Sequence, residues 1–142
     1  MTEEEICNIF AQIVLAVQYL HDKKIIHRDI KMKNIFINWN EKDRNFEAKL
    51  GDFGISKVLE NTLKMTTTCI GTPFYMSPES CMGIEYSFKS DIWSLGCFLY
   101  EICTGKRPFE GKQFQVRNFF DGVDYIKSFF FFNFNFFHNR CF

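Results

Sequence analysis

The sequence is organised around the stretch HRDIKMKN at residues 27–34, with an echo in the triplet DFG at residues 52–54. The first stretch provides a carboxylate at Asp29, an ammonium group two residues later at Lys31 and an amide at Asn34. The second provides another carboxylate at Asp52, which directly follows Gly51 and lies two residues before Gly54. Together, two carboxylates, an ammonium group and an amide are suited to holding a metal ion and moving a phosphoryl group.

Length and charge limit the class of protein. With 142 residues, the chain can bury one modest core and is expected to fold as one unit. Lysine plus arginine number 17, as do aspartate plus glutamate, so no excess charge points to nucleic acid or a membrane surface. The six cysteines form no C-x-x-C pair, which argues against a zinc site and favours reduced thiols. The acidic start, MTEEE, differs from an export signal, so we expect a cytoplasmic protein.

Two long helices are predicted, one on each side of the organising stretch. Thr2 and Glu5 have the spacing of a capping box, and apolar residues follow at three- and four-residue steps, so a helix should run to about residue 22. A second helix should cover residues 91–103, which are apolar nearly all round and therefore suited to the middle of a core. Gly105 should close that helix.

Short strands are predicted next to the same stretch. The apolar residues at 25–26 and at 35–37 form runs too short for helices, and they suit small buried strands. Residues 38–47 are polar and predict a hairpin loop, where an insertion is tolerated, before a strand at residues 48–50. Within that strand we expect Lys49 to be a solvated surface charge.

The last part of the chain differs from the rest in composition. Eleven of the 19 phenylalanines fall between Gly111 and the end, without helical or strand alternation. The apolar run there is too short to cross a bilayer, which needs about 20 residues. We therefore expect a domain at residues 1–115 and a phenylalanine-rich, low-complexity tail at residues 116–142.

The order of motifs along the chain resembles that of a eukaryotic protein kinase. Residues 27–34 match the catalytic-loop pattern H-R-D-L-x-x-x-N with isoleucine for leucine, and residues 52–54 match D-F-G. GTPFYMSPE at residues 71–79 stands where such kinases have the A-P-E segment. Three longer segments resemble the NIMA-related serine/threonine kinases more narrowly: LGDFGISKVL at residues 50–59, KSDIWSLGC at residues 89–97 and PFEG at residues 108–111.

The resemblance implies a fold that is mainly α with a small β-hairpin, namely the large, C-terminal lobe of the protein-kinase fold in truncated form. The 142 residues contain no G-x-G-x-x-G and no V-A-I-K strand, so the small lobe is expected to be absent. Those missing parts cover the ATP phosphates and supply the lysine–glutamate pair that catalysis requires.

The resemblance also implies roles in phosphoryl transfer for individual residues. Asp29 would orient the substrate hydroxyl and accept its proton, and Lys31 would neutralise charge on the transferred group. Asn34 and Asp52 would hold Mg²⁺, the cofactor ion that bridges the phosphates of ATP. Phe36 would lie under the adenine ring of ATP, with an ordinary core phenylalanine as the alternative.

A second set of residues would serve regulation and packing. Arg28 is a cation that kinases of this type pair with a phosphorylated residue of the activation loop, here Thr68, while Thr72 would help to seat substrate. The structural members are His27 and Phe53 as packing and switching elements, Glu79 as the partner of a late arginine, and Asp91 as the tie between the central helix and the catalytic-loop backbone.

Two hypotheses remain open at this point. The first is a serine/threonine protein kinase fragment that uses ATP and Mg²⁺ on protein serine and threonine side chains, and that is inactive as this isolated chain. The second is a non-catalytic, kinase-derived binding or decoy fragment that engages substrates or a partner kinase. Neither involves nucleic acid or a membrane, and the resemblance favours a cytoplasmic location with cytoskeletal association.

Overall fold

The computed structural model describes residues 1–52 and 74–109. In chain order these form helix α1 at Glu3–Asp22, a 3₁₀ turn at Met32–Asn34, strands β1 at Ile35–Asn40 and β2 at Asn45–Leu50, and helices α2 at Pro78–Cys81 and α3 at Phe88–Thr104. The described part is mainly α with one β-hairpin, as predicted. The predictions for Phe53, Thr68, Thr72 and the tail at residues 116–142 lie outside the described residues.

Helix α1 begins where the sequence predicts because Thr2 and Glu5 cap its first turn reciprocally. The Glu5 N–H donates to the Thr2 hydroxyl over 3.2 Å, and the Thr2 N–H donates to the Glu5 carboxylate over 2.6 Å. The buried face of the helix consists of Ile9, Ile13, Val17 and Leu20. This apolar face is the surface on which the hairpin and α3 pack.

The hairpin loop is shorter than predicted. β1 runs on to Asn40 and β2 begins at Asn45, so the turn is confined to residues 41–44 and the rest of the predicted loop belongs to the strands. The Asn40 side chain accepts hydrogen bonds from the N–H groups of Lys42 (3.0 Å) and Asp43 (3.3 Å). These local bonds close the turn tightly, which lets polar residues on both sides pair as strands.

The predicted short strands are only partly correct. Residues 25–26 lie in an irregular segment before the hairpin, not in a strand. Residues 35–37 do begin β1, but only Ile35 is buried, because the sheet has two strands and much of β1 faces solvent. Lys49 is exposed on β2, as predicted.

Helix α3 is capped at both ends. It begins at Phe88, ahead of the predicted start, because the Ser87 hydroxyl accepts a hydrogen bond from the Lys89 N–H over 3.3 Å. It ends at Thr104, and Gly105 follows with a φ of +68°, a left-handed conformation in which a side chain would be strained. The predicted closing glycine is therefore confirmed.

The core lies where α1, α3 and the hairpin meet. Helix α3 packs one face against this core. It is not buried on every side, as a helix in the middle of a core would be, since Ile92 is 57% exposed. In the part of the chain that the structure describes, no helix is long and apolar enough to cross a bilayer. The buried core members are Ile9, Ile13, Val17, Ile30, Ile35, Leu95 and Phe98. Because Ile30 and Ile35 both belong to this core, the polar residues between them are held on a rigid base.

Candidate active site

The carboxylate of Asp29 is the centre of a polar cluster just before the hairpin. Lys31 Nζ lies 2.9 and 2.7 Å from its two oxygens. Asn34 Nδ2 donates to the carboxylate over 2.9 Å and to the Asp29 backbone carbonyl over 2.8 Å. The Asp29 side chain is 47% exposed, so the carboxylate remains accessible from solvent. The structure thus brings together the three residues that were predicted as catalytic.

The hairpin brings Asn34 and Asp52 to the same end of the fold. Asn34 directly precedes β1, Asp52 follows β2 after Gly51, and Ile35 pairs with Leu50 at that end of the ladder. The Gly51 N–H donates to the Asn34 carbonyl over 2.8 Å, which extends the pairing by one step. Asn34 is only 4% exposed, whereas Asp52 is exposed. The two predicted metal ligands therefore lie at the same end of the hairpin, one buried and one exposed to solvent.

The donor set at this end fits Mg²⁺. Both hydrogen bonds of the Asn34 side-chain nitrogen go to Asp29, so the amide oxygen is the atom available as a ligand. Asp52 adds a carboxylate, and hard oxygen donors are what Mg²⁺ prefers. No group of three or more His, Cys, Asp or Glu side chains that could hold a metal occurs within residues 1–52 and 74–109. Such a small set suits Mg²⁺, which keeps several waters and commonly takes the rest of its ligands from phosphates.

His27 is a buried, neutral imidazole that joins the two ends of the site. Its Nε2 lies 3.2 Å from the Gly51 carbonyl, and its Nδ1 accepts a hydrogen bond from the Asp29 N–H over 3.3 Å. Burial lowers the pKa of His27 below its ordinary value, although Asp91 and other nearby carboxylates oppose this. The neutral form with a proton on Nε2 satisfies both contacts.

The buried His27 predicts a loss of stability in mild acid. Its pKa is lowered from 6.5 in the folded state, so below that pH the unfolded chain binds a proton that the folded chain does not. The free energy of unfolding should therefore fall as the pH is lowered from about 7.5 to about 5.5, because the unfolded state binds more protons there than the folded state. Urea unfolding at both pH values measures this. His27→Gln should show a smaller fall than the wild type, and an equal fall would contradict the assignment.

The carboxylate of Asp91 is fully buried and joins α3 to the loop before the hairpin. One oxygen accepts a hydrogen bond from the His27 N–H over 2.9 Å and lies 2.8 Å from His21 Nε2. The other accepts hydrogen bonds from the Arg28 N–H and from the Tyr86 hydroxyl, each over 3.0 Å. These donors compensate a charge that would otherwise be costly to bury.

Two residues of the site have left-handed backbones. Arg28 has a φ of +70° and Asp52 a φ of +50°. The conformation costs roughly 1–2 kcal/mol for a residue with a side chain. The hydrogen bond from the Arg28 N–H to Asp91 holds the backbone of Arg28. Gly51, which directly precedes Asp52, is held by its hydrogen bonds to Asn34 and His27. Surrounding hydrogen bonds thus fix the direction in which each side chain leaves the backbone.

Phe36 does not lie in the core, so the alternative that it is an ordinary core phenylalanine is wrong. Its side chain is 57% exposed on β1, because the two-stranded sheet leaves this face open. The ring lies against Gly51, where an added Cβ would come within 2.5 Å of Phe36 Cε2. A glycine at this position therefore lets an exposed aromatic ring lie directly beside the backbone that leads to Asp52.

Glu79 has hydroxyl partners in the described part of the chain. Ser90 Oγ donates to its carboxylate over 2.7 Å. Burial by itself would raise the pKa of Glu79, but hydrogen bonds from Ser90, from the Glu79 backbone N–H and from Ser77, together with the charge of Lys89, outweigh it and the pKa is lowered. These hydroxyls therefore reduce the cost of burying the carboxylate, and the arginine partner of Glu79 stays a prediction.

Sequence reasoning missed Tyr75, which links the catalytic loop to α3. Its hydroxyl accepts a hydrogen bond from the Met32 N–H over 3.2 Å and donates to the Glu101 carboxylate. Its carbonyl accepts from Ser94 Oγ over 3.0 Å. Burial and the bond to Glu101 raise the pKa of Tyr75 well above its ordinary value, so it stays a donor. Its position inside the GTPFYMSPE segment was the available signal.

The chain matches known protein kinases along most of its length. Residues 1–135 match the family described as protein kinase domain. The chain is 54% identical over 114 residues to human serine/threonine-protein kinase Nek5, which covers 80% of the chain and 16% of that protein. It is 52% identical over 108 residues to mouse serine/threonine-protein kinase Nek1, covering 76% of the chain and 9% of that protein.

A more distant relative is also a protein kinase. The G2-specific protein kinase fin1 of Schizosaccharomyces pombe is 41% identical over 132 residues, covering 80% of the chain and 18% of that protein. The chain thus spans less than a fifth of the length of each of these relatives. The chain belongs to the protein kinase family and, within it, to the NIMA-related serine/threonine kinases.

Proposed function

We propose that this chain carries the hydroxyl-activating and metal-binding part of a serine/threonine protein kinase. The reaction is transfer of the γ-phosphoryl group of ATP to serine and threonine side chains of protein substrates. The observation that carries the proposal is the cluster in which Lys31 and Asn34 both contact the accessible carboxylate of Asp29. We assign residues 1–115 to the large lobe of the kinase domain and treat residues 116–142 as a tail of different composition.

Asp29 acts on the substrate hydroxyl. It accepts the hydroxyl proton as the substrate oxygen bonds to the γ-phosphorus and the bond to the leaving ADP breaks. Asn34 orients the carboxylate for this task by binding it and the Asp29 carbonyl at once. Lys31 lies within 2.9 Å of the carboxylate oxygens, where its charge also stabilises the transferred group.

Asn34 and Asp52 are the residues that hold Mg²⁺. The metal supplies charge neutralisation on the phosphates when it is bound. The support is the backbone bond from the Gly51 N–H to the Asn34 carbonyl, which holds residue 34 beside the strand end that leads to Asp52. Phe36 is the contact for the adenine ring, since its ring is exposed beside the same strand end.

Arg28 is the regulatory cation in this proposal. Its side chain is exposed, and its backbone is fixed by the bond to Asp91. A phosphate on Thr68 would form charge-assisted hydrogen bonds to the guanidinium, and Thr72 would help to seat the substrate. Because Arg28 directly precedes Asp29, such pairing would stiffen the loop that holds the catalytic carboxylate.

The metal site can be tested on the 142-residue chain itself. Mn²⁺ takes similar oxygen ligands and broadens the NMR signals of nearby nuclei, so it should broaden the signals of Asn34, Gly51 and Asp52 first. Asp52→Asn should lower the Mn²⁺ affinity by at least about 10-fold. Asp43→Asn, the same change at an exposed aspartate in the hairpin turn, is the matched control and should have no effect. Equal affinity in both variants would reject Asp52 as a ligand.

A further inference from the structure

Gln12 on α1 binds the edge of β2 that β1 does not occupy. Its Nε2 donates to the Phe46 carbonyl over 2.8 Å, and its Oε1 accepts from the Ala48 N–H over 2.9 Å. The second hydrogen of Nε2 goes to Asn8 Oδ1, 2.6 Å away on the same helix. One side-chain amide therefore pairs with two backbone groups that point toward α1.

This arrangement fixes the orientation of the amide. If its oxygen and nitrogen were exchanged, the NH₂ group would face the Ala48 N–H and the oxygen would face the Phe46 carbonyl. Both contacts would then be repulsive, and the bond to Asn8 would be lost. Gln12 thus presents one acceptor and one donor to β2, as a peptide group of a third strand would.

The contact restrains the position of β2 along its own axis. Apolar packing of β2 on α1 sets the distance between strand and helix, but the hydrophobic effect is non-directional and tolerates small shifts. Hydrogen bonds to one carbonyl and one N–H do not tolerate such shifts, because they weaken steeply with distance and angle. Gln12 therefore adds the directional restraint that the apolar contact lacks.

The restrained strand leads directly to the proposed metal ligand. Ala48 is followed by two further residues of β2, then by Gly51 and Asp52. A strand is extended and close to its maximum length, so a shift at Ala48 is passed on to Asp52 rather than absorbed. Asn34, the other proposed ligand, is anchored through its side chain to Asp29 and through its carbonyl to the Gly51 N–H. The pairing with β1 and the contact with Gln12 therefore act together on the position of Asp52 relative to Asn34.

We propose that Gln12 is a positioning residue for the metal site, because it holds β2 on α1 and so, together with the pairing of β2 with β1, keeps Asp52 near Asn34. The proposal rests on the proposed function of Asp52 as a metal ligand.

The test compares Gln12→Met with Gln18→Met in the 142-residue chain. Methionine keeps the length and helix propensity of glutamine but removes both hydrogen-bonding groups. Gln18 lies on the exposed face of α1, so its variant is the matched control. We expect Gln12→Met to displace the amide resonances of Gly51 and Asp52 and to lower Mn²⁺ affinity by about 10-fold. Gln18→Met should change neither.

A second variant tests the hydrogen bond to the Phe46 carbonyl by itself. Gln12→Glu keeps an acceptor for the Ala48 N–H but turns a charged oxygen toward the Phe46 carbonyl. Protonation restores a donor, so the Gly51 and Asp52 resonances of Gln12→Glu should shift toward the wild-type positions as the pH falls from about 7.5 to about 5. The same resonances in Gln12→Met should not shift toward the wild-type positions. Both variants retain His27, so the titration of His27 affects both variants alike.

The outcomes separate this proposal from the proposed function. Wild-type Mn²⁺ affinity in a folded Gln12→Met chain would overturn the positioning role. If Asp52→Asn leaves Mn²⁺ binding unchanged, the proposed metal site fails instead. In that case displaced Gly51 and Asp52 resonances in Gln12→Met still support positioning, and unchanged resonances overturn it. If Gln12→Met does not fold, the pH response of Gln12→Glu decides: recovery supports the role and its absence overturns it.

Discussion

Replacement of Asp91 by alanine is expected to lower the free energy of unfolding by about 3–5 kcal/mol, enough to unfold much of the chain. The carboxylate is fully buried and satisfies the N–H groups of both His27 and Arg28. Alanine would leave these backbone donors, together with the Tyr86 hydroxyl, without an acceptor in a dry environment. The left-handed backbone of Arg28 would lose the contact that holds it.

Urea or thermal unfolding monitored by circular dichroism measures this effect. Asp91→Asn keeps one acceptor oxygen and should be intermediate between wild type and alanine, because one set of donors can still be satisfied. Asp22→Ala, at an exposed aspartate at the end of α1, is the matched control and should leave stability unchanged. A loss of under about 1 kcal/mol for Asp91→Ala would contradict the role of Asp91 as the buried acceptor that holds the backbone of His27 and Arg28.

Replacement of Asp29 by asparagine is expected to reduce phosphoryl transfer by about 10²–10⁴-fold. The change keeps the shape of the side chain and an acceptor for Asn34, but it removes the base and the ion pair with Lys31. The assay requires an extended chain, which we define as these 142 residues joined to a segment that supplies a glycine-rich loop and a phosphate-binding lysine, since neither motif occurs in the sequence.

The expected loss lies in the rate of transfer rather than in nucleotide binding. In the proposed mechanism Asp29 contacts the substrate hydroxyl, whereas Asn34 and Asp52 bind the metal, so ATP and Mn²⁺ affinities should change little. Asp43→Asn again serves as the control. A reduction in transfer of less than about 10-fold would exclude Asp29 as the base.

The part of this structure that the sequence could predict is the part determined by near neighbours. Thr2 and Glu5 lie three residues apart, so the start of α1 can be read from their types alone. The contacts of Lys31 and Asn34 with Asp29 likewise span two and five residues. Helix α3 and its closing Gly105 follow from apolar pattern and glycine placement in the same way.

The part that could not be predicted depends on residues far apart in the chain. His21 approaches Asp91 across 70 positions, and Gln12 reaches Phe46 across 34. No local pattern encodes such pairs, because the packing of α1 on the hairpin and on α3 creates them. The exposure of Phe36 was missed for a related reason: an apolar run in a strand indicates burial only when the sheet is covered on that face.

The most direct test of the central claim, that this chain supplies the catalytic part of a serine/threonine kinase, is a phosphoryl-transfer assay with labelled ATP and Mg²⁺ on serine and tyrosine peptides. We predict transfer to serine and not to tyrosine by the extended chain, and no transfer by the 142-residue chain alone. An extended chain that binds ATP and Mg²⁺ but transfers nothing would contradict the claim and favour a binding or decoy fragment.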